Sequence, residues 1–217
     1  MPQTPPLLQI RHLHFSHPQR PLWQGWSATV HAGATLLQGG DGSGKTTLLH
    51  LLAGALAPQQ GTLVLQGIDR ATDPAGYQQQ VFWQDPRDHA LHDTSARAWL
   101  ASLPARWPAW DAPALAAHVQ GWGLAPHLDK ALRQLSSGSQ RKLLMAAALA
   151  SGAALTLIDE PIAGLDRPSI AYLQQALARA AQPSAGPRAI VVAHYEALEG
   201  VPWQQVLAWP GVGTEAV

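Results

Sequence analysis

The sequence contains no cysteine, which excludes disulfides and thiolate metal sites and is compatible with a reducing compartment. Charge is scarce as well. Charged residues make up 13% of the 217, and 14 basic against 14 acidic side chains give a formal net charge of +0. Soluble domains ordinarily carry about 25% charged residues. A chain without net charge lacks the electrostatic footprint of a nucleic-acid or anionic-membrane binder, so no nucleic-acid partner is expected. Met1 to Gln9 has neither the basic stretch nor the apolar core of a secretory signal. No run approaches the roughly 20 apolar residues of a membrane span. Leu143 to Ile158 is uncharged, but Ser151-Gly152 interrupts it, and it reads as a buried helix followed by a buried strand. The chain is therefore expected to be soluble unless a partner holds it at a membrane. Its length suits one well-filled domain with at most a subdomain.

What is present alternates between strand and helix patterns. Leu8, Ile10, Leu13 and Phe15 suggest an early strand, and Ala34 to Gln38 is a short apolar run entering Gly39-Gly40. Lys45 to Leu56 reads as a helix stopped near Pro58. Residues 61–65 and 81–83 look like further strands. From 85 to about 151 the pattern becomes helical, broken by prolines at 104, 108, 113 and 126. Residues 154–158 and 188–193 then read as strands, with a helix from Pro168 to Ala181 between them. This order predicts an α/β domain with parallel strands and a helical insertion. The expected division is a core of residues 1–84 and 152–217, with a helical part at 85–151.

Gly39-Gly40-Asp41-Gly42-Ser43-Gly44-Lys45-Thr46 matches G-x-x-x-x-G-K-[ST] between a predicted strand and a predicted helix. Glycines let successive backbone N–H groups turn inward around phosphate oxygens, and the N-terminus of the helix, where Thr47 follows, adds partial positive charge. Lys45 is expected to reach the β- and γ-phosphates of ATP, and the Thr46 hydroxyl to ligate magnesium. At the end of the buried strand, Asp159 is placed to hold the magnesium through water and Glu160 to polarise an attacking water. Alone, an Asp-Glu turn after a strand is common; beside a phosphate loop it reads as the second half of the site.

Leu135-Ser136-Ser137-Gly138-Ser139-Gln140-Arg141-Lys142 resembles the LSGGQ signature of the ATP-binding cassette (ABC) family, followed by basic residues. Gln84 resembles its Q-loop, Gly164-Leu165-Asp166 its D-loop, and His194 its switch histidine, all in family order from about residue 8 to 209. The resemblance implies a P-loop fold of ABC type: a mixed core sheet with flanking helices, an antiparallel β part near the N-terminus and an inserted helical subdomain. It implies an ATPase whose two copies, as a homodimer, sandwich ATP and Mg2+ between the P-loop of one and Ser136 and Gly138 of the other. Glu160 would be the general base and His194 would contact the γ-phosphate. Gln84 would be a further metal ligand linking the site to the helical part, and Asp166 would lie at the dimer contact. The implied function is ATP hydrolysis driving transport, with a separate membrane permease subunit and a location at the inner face of the cell membrane.

The sequence departs from the family pattern at Ser137 and Ser139, and His17 stands where an aromatic residue commonly stacks on adenine. An imidazole can stack there with less area. Asp166 could alternatively cap the helix that begins at Pro168. Histidines 12, 14 and 17, and His89 with His92, lack the pattern of a metal site. Five of nine tryptophans (83, 99, 107, 110, 122) fall in or beside the helical part. Core packing is one reading; an exposed aromatic patch for a membrane partner is the other. Two further readings of the whole chain stay open: an ABC ATPase acting on nucleic acid or ribosomes, and a clamp that dimerises on ATP with little hydrolysis.

Overall fold

Apolar residues on β1 (Leu8–His17) keep to one face in spite of an apparent slip in their spacing. Leu8, Ile10, Leu13 and Phe15 are all buried, because His12 adopts a positive φ of 49° and the pairing register shifts there. A bulge absorbs one residue and restores the inward parity. The computed structural model describes residues 5–18, 20–85, 93–182 and 186–208. β1 lies in an antiparallel sheet with β2 (Arg20–Val30), β4 (Gln60–Leu65) and β5 (Ile68–Asp69), in the order β2-β1-β4-β5.

The second sheet has the order β6-β7-β8-β3-β9, from β3 (Gly33–Gln38), β6 (Val81–Phe82), β7 (Leu155–Asp159), β8 (Ala189–His194) and β9 (Trp203–Ala208). Its pairings are parallel. β7 and β8 are buried at every position, as strands covered on both faces must be. Successive residues divide between two cores. Leu155, Leu157, Val191 and Ala193 join the antiparallel sheet and α1 (Lys45–Leu52) in one. Ile158, Ile190 and Val192 join the helices on the other face.

Those helices are α3 (Ala96–Ser102), α4 (Ala112–Gly121), α5 (Ser137–Ala150) and α6 (Arg167–Ala180), while the short α2 (Pro74–Gln79) precedes β6. The uncharged stretch from 143 to 158 is the body of α5 followed by β7, as expected. No helix among the described residues is long and apolar enough to cross a membrane. α1 ends at Leu52, four residues before the expected stop, because the chain turns through Gly54 at φ 72°. The sequence reading missed β2 and β9. Only Trp23 and Val30 of β2 are buried, and β9, at the sheet edge, has no buried residue, so neither carries a strong pattern.

For three of the five tryptophans core packing is the outcome, whereas the partly exposed Trp110 lines an open groove with Leu100, Leu115 and Val119. Trp99, Trp107 and Trp122 are buried, at 3%, 5% and 5% exposure, and Trp83 and Trp110 are partly buried against the two cores. Trp107 packs on Phe82 with ring centroids 4.8 Å apart, and the Trp122 indole N–H donates to the Ser169 carbonyl at 3.2 Å. These rings bind the helical part to β6 and α6. Trp107→Ala is expected to lower the unfolding free energy by about 3–5 kcal/mol, measured by urea denaturation.

Candidate functional site

Parallel pairing brings three strand ends together. Gln38 lies opposite His194, and Asp159 opposite Ala193, so the loops leaving β3, β7 and β8 emerge side by side. The ladder continues past the strands: Gly39 N–H donates to the His194 carbonyl at 3.2 Å and Glu160 N–H to that of Ala193 at 2.9 Å. Ligands of open α/β sheets bind at such carboxyl edges.

From Gly39 the chain curls into α1 through Gly42 and Gly44, at φ 68° and 105°, conformations that a Cβ would strain. Gly44 is the N-cap and provides no side-chain cap, and no acidic residue occupies the first turn. The N–H groups of Lys45, Thr46 and Thr47 thus have no partner within the helix. They form a fan of donors at its positive end, suited to an anion.

Lys45 is only 5% exposed. Its ammonium donates to the carbonyls of Gly39 and Gly40, at 2.7 and 3.0 Å, and pairs with Glu160 Oε1 at 3.0 Å. The other carboxylate oxygen, Oε2, lies 2.8 Å from His194 Nδ1. His194 is 1% exposed, and its Nε2 is buried with no hydrogen-bond partner among the described residues. Glu160 therefore supplies an anion between a buried ammonium and a buried imidazole. Burial pushes its carboxyl up, but hydrogen bonds and charge from His194 and Lys45 outweigh this and hold it below its usual range. Its own backbone has φ 42°, a conformation uncommon outside glycine.

Beneath this bridge, the Thr46 hydroxyl donates to Asp159 Oδ2 at 2.6 Å. A hydroxyl and a nearly buried carboxylate are hard oxygen donors of the kind magnesium takes. A cavity of about 340 Å3 opens over the loop, lined by residues 41–47 with His17, Arg20, Leu22 and Glu160. The donor fan, ammonium and oxygen pair together fit a nucleoside triphosphate with its magnesium. Among the described residues no group of three or more His, Cys, Asp or Glu could hold a metal unaided; His89 and His92 lie outside them.

The remaining predicted residues fall into three places. His17 stands at the cavity mouth, with Nε2 3.3 Å from Thr47 Oγ1 and its ring edge-on to Phe15 at 5.4 Å. Gln84 shares a cleft with Asp159, Arg141 and Met145, between the sheet edge and α5. Ser136, Gly138 and Asp166 do not line the phosphate cavity. Ser136 caps α5, its oxygen accepting from Ser139 N–H at 3.2 Å. Asp166 caps α6 through Ser169 N–H at 2.9 Å, the alternative role considered for it. Gly138 is buried, and a Cβ there would lie 2.5 Å from the Gly164 carbonyl; the Arg141 guanidinium donates to the neighbouring Ala163 carbonyl. The glycine thus has a packing reason within its own chain. Arg20 and Leu22 were missed, since the strand that carries them was missed. The signal available was hairpin pairing, which sets Arg20 opposite His17.

Residues 23–163 match the family described as ABC transporter. The chain is similar to the cytochrome c biogenesis ATP-binding export protein CcmA of Pseudomonas savastanoi pv. phaseolicola, with 34% identity over 81% of this chain and 83% of that protein. The protein of the same name from Xanthomonas campestris pv. campestris is 34% identical over 88% of each chain. Among solved structures, an ATP-binding subunit of an ABC transporter superposes with a TM-score of 0.76 at 20% identity, covering 87% of this chain and 79% of that one. A putative ABC transporter ATP-binding protein from Pyrococcus furiosus gives 0.73 at 19% identity, over 93% and 96%. These two likenesses bear on the fold.

The Glu160 bridge makes a pH prediction. A depressed carboxyl contributes stability above its unfolded pKa, and that contribution is lost as pH falls through the folded value, which lies below 4.5. Without nucleotide, the stability that the Glu160 carboxylate adds over Glu160→Gln should be present at neutral pH and disappear in that acid range. Urea titrations at a series of pH values would check it.

Proposed function

The chain belongs to the ABC transporter family, and from that premise we propose that it is the ATP-binding export subunit of a cytochrome c biogenesis system, as its relatives are named. ATP binding and hydrolysis coupled to transport is the activity of the family. The observation that carries the site assignment is the Glu160 carboxylate held between Lys45 and His194, beside the Thr46–Asp159 pair.

Bound ATP with magnesium supplies the phosphoanhydride to be cleaved and the cation that neutralises it. The N–H groups at the start of α1 hold phosphate oxygens in place, and Lys45 adds a full charge to that cradle. Thr46 and Asp159 would hold the magnesium. A Lys45 engaged by phosphate no longer claims Glu160 Oε1, which is then available to accept a proton from water. His194 keeps Oε2 oriented through Nδ1 and presents its buried Nε2 to a further polar group. Gln84, next to Asp159 and α5, relays the state of the site to the helical part.

A head-to-tail homodimer suits the separation of Ser136 and Gly138 from the phosphate cavity of their own chain, since a second copy would carry them to it. A separate permease subunit follows from the family activity and would hold the chain at the inner face of the membrane. The helical part, residues 85–151, would then act as the arm that carries the signature to the partner.

Two measurements test these assignments. Glu160→Gln is expected to keep ATP binding, reduce hydrolysis at least ~100-fold and double the solution mass in Mg-ATP. A wild-type protein that dimerises without hydrolysing would favour the clamp, and a protein that binds no ATP would end the assignment. For the cellular role, the chain should restore c-type cytochromes to a bacterium lacking its own cytochrome c biogenesis ATP-binding protein. Lys45→Ala should not.

A further inference from the structure

We propose that Arg20 is a phosphate-binding residue of this nucleotide site, so that the chain grips the outer side of the nucleotide by charge and discriminates weakly between bases. The inference rests on reading the cavity over the P-loop as that site.

Arg20 is the first residue of β2 and pairs with His17, the last of β1. The hairpin end they form reaches over the start of α1, where His17 meets Thr47. The Arg20 side chain lines the same cavity as residues 41–47. One guanidinium nitrogen stands 3.9 Å from the point a Gly42 Cβ would occupy. The cation therefore stands beside the loop backbone that forms the anion cradle, in the cavity that Lys45 also lines.

No other role within the chain claims this side chain. Arg20, although exposed, makes no ion pair and no side-chain hydrogen bond with any described residue, whereas Arg97 and Arg133, also exposed, pair with Asp129 and Asp93 at 2.7 Å each. Two carboxylates face the cavity. Both oxygens of Glu160 are engaged by Lys45 and His194, and Asp41 forms no ion pair with Arg20. In a chain with 13% charged residues, an arginine aimed at a phosphate cradle without an acidic partner fits an anionic ligand. A guanidinium offers a planar fork of donors that matches phosphate oxygens in pairs.

The other wall residues explain why such a contact would matter. His17 and Leu22 are what the cavity offers a base, and the His17 imidazole is tied at one edge to Thr47 and set edge-on to Phe15. An imidazole provides less stacking area than a phenol or indole ring. Affinity that stacking would otherwise supply comes from the phosphates, a group common to every nucleoside triphosphate.

The test is calorimetric binding of Mg-ATP and Mg-GTP to wild type, Arg20→Ala and Arg20→Lys, with melting temperatures recorded without nucleotide. The wild type should bind both nucleotides. Arg20→Ala should weaken both by a similar factor, on the order of tenfold, and Arg20→Lys should recover part of the loss. Melting temperatures without nucleotide should not change, because Arg20 has no partner to lose. Affinities within about twofold of wild type would overturn the inference. So would a loss confined to ATP, which would mean a base contact, or a lowered melting temperature that lysine does not restore. A wild type that binds neither nucleotide would instead overturn the reading of the cavity itself.

Discussion

The ion pair between Lys45 and Glu160, closed by His194 on the other carboxylate oxygen, is the contact around which the molecule is arranged. It joins three strands that are distant in sequence: Lys45 follows β3, Glu160 follows β7 and His194 ends β8. A buried ammonium and a buried imidazole are tolerated because an anion stands between them. That anion is supplied from within the chain, on a residue whose backbone is itself in an uncommon conformation. The arrangement implies exchange: whatever anion takes Lys45 from Glu160 also frees the carboxylate.

A continuous apolar core joins the helical part to this sheet, and a few specific contacts pin it in place. Trp107 on Phe82 and Trp122 on Ser169 anchor it to β6 and α6. At the end of α5, the Arg188 guanidinium donates to the carbonyls of Ala148 and Leu149 and to the Thr156 hydroxyl. Burial lowers its pKa to about 10, so it stays charged at neutral pH, where a cation complements the carbonyl end of a helix. At the opposite end, Gly138 lies against the Gly164 carbonyl and Arg141 holds that of Ala163. The start of α5 is therefore packed directly on the loop before α6. Gln84 lies in the cleft between Asp159 and α5, the helix whose N-cap is Ser136.

Much of this was legible from residues alone where the chemistry is local. The glycines, lysine and threonine of residues 39–46 have to be contiguous, because one loop wraps one set of phosphates, and contiguity is what a sequence displays. Asp159 and Glu160 were readable because an uncharged strand leads directly to them. Asp166 carried two readings, and the cap found in the structure could be anticipated from Pro168 behind it. The tryptophans were ambiguous because composition records how many there are and not which way they face.

The amino-acid sequence by itself determined the class of fold, the phosphate loop, the acidic pair and the family, since each depends on residues adjacent in the chain or on a pattern short enough to repeat along it. Only the tertiary structure decided that Lys45 and His194 share the two oxygens of Glu160, that Gly138 is held by packing against Gly164, and that Arg20 stands over the P-loop. Those relations depend on strand register and on the hairpin between β1 and β2. The burial pattern of β2 is too weak to show such pairing in advance, because only Trp23 and Val30 of this edge strand are buried.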